Sequence, residues 1–558
     1  MRLTPVYPWL LDLHRQSSFF CFHSHVLPCL LSEDDHLLVV NKPAGLNTHA
    51  PSPYSGEGLF DWLRHREPRW ANLAIVHRLD KEISGVIVFS KTSLANRSLT
   101  EQFTHRAVRK TYLLLTDRPP KKSNLSVKTC LVRAGEKYVS RPIHPGGTIA
   151  ETRFRIHGQS PLPDLARSYE ILAEPLTGKT HQIRVHAAEH GFPILGDTLY
   201  GGTPAARVFL HAAEIAFHHP ASGVPVSFQA PPNFDAPPRL AIREALIEPE
   251  VTNAYRLIHG ASDGWPGWYV DRLGDYLLSQ SERPLQTSQA EEMQRLLDSF
   301  HLRGAYHKFL TPQLRKMSHA EVSPQLILGE AAPARFSILE NGLRFRLSFE
   351  EGYSVGLFLD QRDNRRRLLT GHIGAEFPLG TPSSEGLSLN AFAYTCGFSL
   401  SAVKAGAPTT SLDLSKKHLA WGKDNFALNA LDPAAHDFIY GDVFDWLRRL
   451  TKKQRTFDLI LLDPPTFSQS KESGVFRVER DYDRLVTIAL PLLRPGGTLF
   501  ASTNAANWPP EQFIESIEGP IHESRRKILK RLFIPQPPDF PVSKQEPAYL
   551  KTLWLRVS

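Results

Sequence analysis

Apolar and polar positions along the chain fall into three regimes. Through the first 240 residues, short apolar runs recur between polar turns, among them HLLVV, GVIVFS, TYLLLT and RSYEIL, with few long helical periods. Runs of that length predict strands, and the shortage of crossover helices predicts an α+β domain on a mixed, largely antiparallel sheet. The seam HHPASGVPVSFQAPPNFDAPPRL, residues 218–240, closes this regime. Its prolines lack an amide hydrogen and fix φ, so it predicts loop and edge structure leading to a boundary near residue 243. From about 250 to 340, apolar runs such as GWYVDRLGDYLLSQ accompany one amphipathic helix around AEEMQRLLDSF, which reads as a small α+β module. Beyond residue 386 strand and helix alternate: LSLNAF, FSLSAVKAGA, TTSLDL, KKHLAWGKDNFALNAL, DFIYGD, VFDWLRRL, FDLILLD, YDRLVTIALPLL, GTLFAST. That alternation predicts a parallel, doubly wound α/β sheet covered on both faces. The expected organisation is a tail over 1–30, a domain over 31–240, a small module over 250–340 and an α/β domain over 341–558.

Composition narrows this only modestly. At 558 residues the chain exceeds one hydrophobic core, and 41% apolar content is that of a globular protein. Lys plus Arg outnumber Asp plus Glu by 65 to 57, a +8 excess compatible with a polyanionic partner. The four cysteines, Cys21, Cys29, Cys130 and Cys396, are too few and scattered for a disulfide framework and suit a reducing cytoplasm. CFHSHVLPC, residues 21–29, matches none of the usual zinc spacings, so no metal is expected. No run is long enough to span a membrane, and the start MRLTPVYPWLLDLHR is broken by proline and charge, unlike a signal peptide.

The first chemical constellation is HRLDKEISGVIVFSK, where His77, Arg78 and Asp80 stand in a polar turn just before an apolar strand. Alone, an Asp two residues after an Arg is more often a surface ion pair or turn former. LLVVNKPAGL lies upstream, with FTHRAVRKTYLLL and LTGKTHQIRVHAAEHGFPILGDTLYGG downstream. In order and spacing these blocks resemble RluA-type pseudouridine synthases over roughly residues 31–235. The resemblance implies a cofactor-free isomerase in which Asp80 is the catalytic carboxylate that breaks the uracil–ribose link and Arg184 pairs with it. Tyr112 would sit beside the base and take its C5 proton. His77 and Arg78 would contact substrate, Arg78 filling the space left when the uridine flips out. One departure is Ile83, where the family usually has Thr.

The second constellation lies in the α/β region. Its first strand runs into NAFAYTCGFS rather than a glycine-rich dinucleotide fingerprint, so Tyr394, Thr395 and Gly397 open a helix whose N-terminus can face a carboxylate. Asp413 ends the second strand, placed for ribose hydroxyls; Asp442 ends the third, placed for an adenine edge; the fourth ends in Asp463-Pro464-Pro465-Thr466-Phe467. These features resemble class I S-adenosylmethionine-dependent methyltransferases with a Rossmann-like fold. With VGLFLDQRDNRR (355–366), DGWPGWYVDRLGDYLLSQ (263–280) and DPPTFSQSK, residues 250–558 look like the RlmI and RlmK family, which methylates cytosine C5 or guanine N7 of large-subunit ribosomal RNA. The resemblance implies that Gln361 and Arg365 frame the cofactor and substrate site. Asp463 would position a flipped base in a slot shaped by Pro464, Pro465 and Phe467.

Chemistry discriminates between acceptors. Cytosine C5 needs a thiolate to add at C6 first, whereas guanine N7 carries its own lone pair. Cys396 falls in the cofactor turn, and FASTNAANW offers Ser502, Thr503 and Asn504 where the cytosine branch resembles a Ser-Cys pair, so guanine N7 is expected. The combined reading is a bifunctional enzyme acting on large-subunit ribosomal RNA, with neither DNA nor membrane as partner. Four alternatives stay open: one half serving only to grip RNA, methylation at cytosine C5, a non-catalytic ribosome assembly factor, and methylation of a small molecule by the C-terminal half.

Overall fold

The computed structural model describes residues 27–144, 147–159, 168–310, 322–379, 387–470, 472 and 474–558. The proposed tail and the CFHSHVLPC segment therefore lie largely outside the described residues. The chain forms two compact units, one from residues up to Thr48 together with Leu73–Glu248, the other from His49–Asn72 together with Pro249–Ser558. Residues 49–72, which the sequence reading runs inside 31–240, thus count with the second unit.

The first unit is built on an 11-stranded sheet. Its central strands follow the order Leu37–Lys42, Ser84–Ser90, Leu210–His218, Arg109–Thr116, Tyr169–Pro175. Among the described residues every pairing in this sheet is antiparallel except that of Leu210–His218 with Ser84–Ser90. Ser84–Ser90 is buried at all its positions, which explains its unbroken apolar run. Gly85 opens the close approach of the two parallel strands: it sits at φ +122°, and a Cβ there would lie 2.2 Å from the carbonyl oxygen of Ala212.

In the second unit, strands within residues 254–309 and the strand Gln325–Gly329 form a five-stranded sheet with the helix Thr287–Phe300. The helix is amphipathic as its sequence predicts, burying Met293, Leu296 and Leu297. The α/β region forms a seven-stranded sheet whose order is third, second, first, fourth, fifth, seventh, sixth along the chain. Strands Asp437–Tyr440, Thr409–Asp413, Ser388–Ala391, Phe457–Leu462 and Leu493–Thr503 are parallel, and Lys551–Val557 pairs antiparallel at their edge. The order reverses beside Ser388–Ala391, so the carboxyl ends of that strand and its neighbours open the crevice where an α/β sheet binds ligands.

Candidate active sites

In the first unit the turn carrying Asp80 is fastened from both sides. The Thr48 hydroxyl donates to the Leu79 carbonyl (2.8 Å) and accepts from the Leu79 amide (3.1 Å), while the Gly45 amide donates to the Lys81 carbonyl (2.7 Å). Buried Lys42 donates to the carbonyls of Leu46 (2.7 Å), Pro43 (3.0 Å) and Lys81 (3.4 Å). Burial pulls its ammonium down to about 7. NKPAGL and HRLDK are therefore two halves of one hydrogen-bonded platform.

Arg184 lies in the helix Gln182–Glu189 and is almost fully buried. Its Nε and Nη2 form a two-pronged pair with Asp197, at 2.7 and 2.8 Å, leaving Nη1 at 3.6 Å from Asp80 Oδ2 and 3.9 Å from Glu82 Oε2. Arg184 and Asp80 do come together, but Asp197 is the main partner and fixes the guanidinium plane. His181 adds Nε2 at 3.7 Å from Asp80 Oδ2, its Nδ1 lying 2.7 Å from the Tyr200 hydroxyl. Burial, reinforced by the charge of Asp80, holds the Tyr112 phenol well above its ordinary value, so it rests protonated.

His77 is held within the turn. Its Nε2 accepts the Val88 amide at 3.0 Å, its ring stacks on Phe103 with centroids 5.1 Å apart, and burial together with Lys110 presses it down to about 3. The ring braces the turn as a neutral acceptor, while Arg78 beside it is exposed. Ile83 is 3% exposed and packs with Leu114, Phe154 and Ile171, so the departure from the usual Thr is taken up as core.

In the second unit the turn after Ser388–Ala391 holds three non-glycine residues in the left-handed region: Phe392 (φ 64°), Tyr394 (φ 50°) and Cys396 (φ 63°). Such backbone costs of order 1–3 kcal/mol each and persists only where contacts over-determine it. Here the Tyr394 amide donates to Asp413 Oδ2 (2.8 Å), Thr395 Oγ1 to the Gly356 carbonyl (2.6 Å) and Asn425 Nδ2 to the Thr395 carbonyl (3.0 Å). Asp413 Oδ1 also accepts the Ser415 amide at 2.8 Å. Asp413 therefore ties the turn to the second strand as well as standing at its carboxyl end. Gly397 begins the helix Gly397–Lys404, and a Cβ there would come within 3.1 Å of Leu357.

Asp463 follows the fourth strand and is held by Ser502 Oγ and, at 3.3 Å, by Gln361 Nε2. Gln361 is itself oriented by Asn364, whose Nδ2 donates to Gln361 Oε1 at 2.7 Å. Burial, with the neighbouring charge of Asp360, lifts Asp463 to about 6. Asp360 accepts the Tyr549 hydroxyl at 2.9 Å and is likewise raised by burial. Arg365 is committed elsewhere, gripping Glu340 at 2.6 and 2.8 Å and donating to the Phe358 carbonyl at 2.8 Å. Its grip shapes the Phe358–Gln361 turn from below. Asp442 caps the helix Val443–Lys452 through the Asp445 amide (3.0 Å) and accepts Ser470 Oγ (2.6 Å). Pro464 is buried, Phe467 half-buried and Pro465 exposed. Cys396 is fully buried, and burial pushes its thiol up to about 12.

Residues 255–556 match the family of S-adenosylmethionine-dependent methyltransferases. The chain belongs to this family. Residues 36–189 match RNA pseudouridylate synthase, so the chain joins an isomerase family to a methyltransferase family. Its relatives include a protein named ribosomal RNA large subunit methyltransferase in Deinococcus radiodurans, 33% identical over 336 residues, 57% of this chain and 77% of that one. Another is named ribosomal RNA large subunit methyltransferase I in Shewanella denitrificans, 33% identical over 322 residues, 56% of this chain and 77% of that one. A third is named ribosomal large subunit pseudouridine synthase C in Yersinia pestis, 38% identical over 216 residues, 36% of this chain and 65% of that one.

The residues present in the methyltransferase fit its cofactor. The Asp413 carboxylate stands at the end of the second strand, the strained Phe392–Cys396 turn brings a helix N-terminus to the switch point, and Gly397 avoids the crowding that a Cβ would meet at Leu357. Among the described residues, no helix is long and apolar enough to cross a membrane. Sequence reasoning missed Lys42, His181, Asp197 and Tyr200 in the first site, and Asp360, Ser502 and Tyr549 as partners in the second. Lys42, His181, Asp197 and Tyr200 all lie within the motif blocks NKPAGL and GKTHQIRVHAAEHGFPILGDTLY, which was the available signal.

Proposed function

We propose that the chain modifies large-subunit ribosomal RNA twice, converting a uridine to pseudouridine in its first unit and methylating a purine ring nitrogen, guanine N7, in its second. The observation that carries the reading is the pairing of two chemically different carboxylates. Both are half-buried, but Asp80 faces the one Arg184 nitrogen that Asp197 leaves over, whereas Asp463 is held by Ser502 and Gln361 and raised to about 6.

In the synthase, Asp80 attacks or deprotonates at the sugar beside the glycosidic bond while Arg184, held by Asp197, keeps its approach fixed. Tyr112 lies where the charge of Asp80 is felt and serves the C5 proton: as the base loses its proton at C5 and gains one at N1, the phenol takes up the first and gives its own to the second. Arg78, exposed on the turn, occupies the place of the extruded base. In the methyltransferase, Tyr394, Thr395, Gly397 and Asp413 would hold S-adenosylmethionine, with Asp442 bordering the adenine and Gln361 and Arg365 framing the site. The bound cofactor supplies an electrophilic methyl group on sulfur. Asp463 would accept hydrogen bonds from the donor edge of a base seated against Pro464, Pro465 and Phe467, and so aim its lone pair.

A second reading, cytosine C5, follows from the likeness to RlmI and from the relative named methyltransferase I. It requires a thiolate, and Cys396 is buried with its thiol raised to about 12. The test is nucleoside mass spectrometry of ribosomal RNA from cells lacking the gene, complemented with wild type, Asp80→Ala or Asp463→Ala. The reading expects wild type to restore one pseudouridine and one 7-methylguanosine, and, of the two variants, only Asp463→Ala to restore the first and only Asp80→Ala the second. An unchanged profile, or a missing 5-methylcytidine, overturns it.

A further inference from the structure

We propose that Trp62, although it lies among the synthase motifs in sequence, is a positioning residue of the methyltransferase, acting through Asp363 on the helix that begins at Gln361. The helix Arg362–Thr370 reads RDNRRRLLT and has no apolar stripe from which packing alone could set its rotation. Directed bonds set it instead. Arg362 is held by Asp539 (2.6 and 2.8 Å), Asn364 Oδ1 accepts from Trp554 Nε1 (3.1 Å) and Arg365 is held by Glu340.

The remaining face is held by the segment His49–Asn72. The indole Nε1 of Trp62, a residue 2% exposed, donates to Asp363 Oδ2 at 2.7 Å. Arg366 pairs with Glu67, Arg367 Nη2 lies 3.7 Å from Glu57 Oε2, and His372 Nε2 lies 2.8 Å from the Arg64 carbonyl oxygen. Arg66 stacks over the Trp62 ring at 4.7 Å, and Tyr54 meets Phe533 edge-on at 5.1 Å, so the segment is fixed along its length. Burial works against the charge of Asp363, but Arg362, Arg367, Arg66 and the Trp62 indole outweigh it and hold the carboxyl below its ordinary value. Asp363 stands between Gln361, which touches Asp463, and Arg365, which anchors the Phe358–Gln361 turn. Loss of the indole hydrogen bond leaves a buried carboxylate short of a donor and lets the helix turn, and a shift of about 1 Å in such a support can cost about 10²-fold.

The test is isothermal calorimetry of S-adenosylhomocysteine on the full chain carrying Trp62→Phe, which keeps an aromatic ring and deletes the N–H. The expected result is a Kd raised about tenfold in a chain that stays folded at the assay temperature, with the ligand-free unfolding midpoint lowered by only a few degrees. Glu67→Gln, which loosens the next, half-buried clamp on the same helix, should weaken binding about threefold and stands in if Trp62→Phe fails to fold. A Kd within about twofold of wild type in the variant that folds, or a Kd that rises only in step with a falling midpoint, overturns the proposal.

Discussion

Replacing Asp463 by Asn separates the stability of the methyltransferase from its chemistry. The side chain is half-buried, accepts from Ser502 Oγ and Gln361 Nε2, and is raised from the ordinary 3.8 to about 6 because burial disfavours its charge. A raised carboxyl makes the folded state bind more protons than the unfolded chain between about pH 4 and 6, so this group's contribution to stability falls as pH rises through that window and levels off above it. The shift of about two units corresponds to roughly 3 kcal/mol at most, at about 1.4 kcal/mol per unit. Asn keeps a carbonyl oxygen for the same two donors and carries no charge. Asp463→Asn should therefore be more stable than wild type by about 1–3 kcal/mol at pH 7 and indistinguishable from it near pH 4, while methyl transfer falls by about 10²-fold or more. Urea unfolding at a series of pH values, following the transition that S-adenosylhomocysteine shifts, measures the difference. A difference that does not change between pH 4 and 7, or an Asn variant less stable at pH 7, refutes the reasoning.

The other expectations concern the partners of Arg184 and the acceptor atom. Asp197→Asn removes the charged partner at 2.7 Å from a buried guanidinium; the first unit should lose about 3–5 kcal/mol, and pseudouridine formation should fall more than tenfold through kcat, read by single-turnover tritium release from labelled uridine. Cys396→Ala should cost about 1 kcal/mol of stability and leave at least half of the methyl transfer to ribosomal RNA, measured with a labelled methyl group. Complete loss of transfer in a folded variant would favour cytosine C5 through this thiol.

Architecture was legible in the sequence because periodicity is a local property. The short antiparallel runs before residue 240 and the β-α alternation beyond residue 386 map onto two different sheets, and the helix at AEEMQRLLDSF buries the stripe its spacing displays. Motif blocks likewise bring Asp80 to Arg184 and Gln361 to Asp463, since an ordered set of motifs encodes a site even when its members are distant in sequence. Partner choice among buried groups was not legible. Nothing in the spacing says that Arg184 would spend two nitrogens on Asp197, that the His77 ring would take the Val88 amide, or that Arg365 would bind Glu340. Least legible was Trp62, whose indole finds its acceptor 301 residues away. The physical reason is the same in each case. Hydrophobic pattern is written at intervals of two or four residues, whereas the cost of burying a charge or a polar hydrogen is relieved by whichever partner the completed fold brings within about 3 Å.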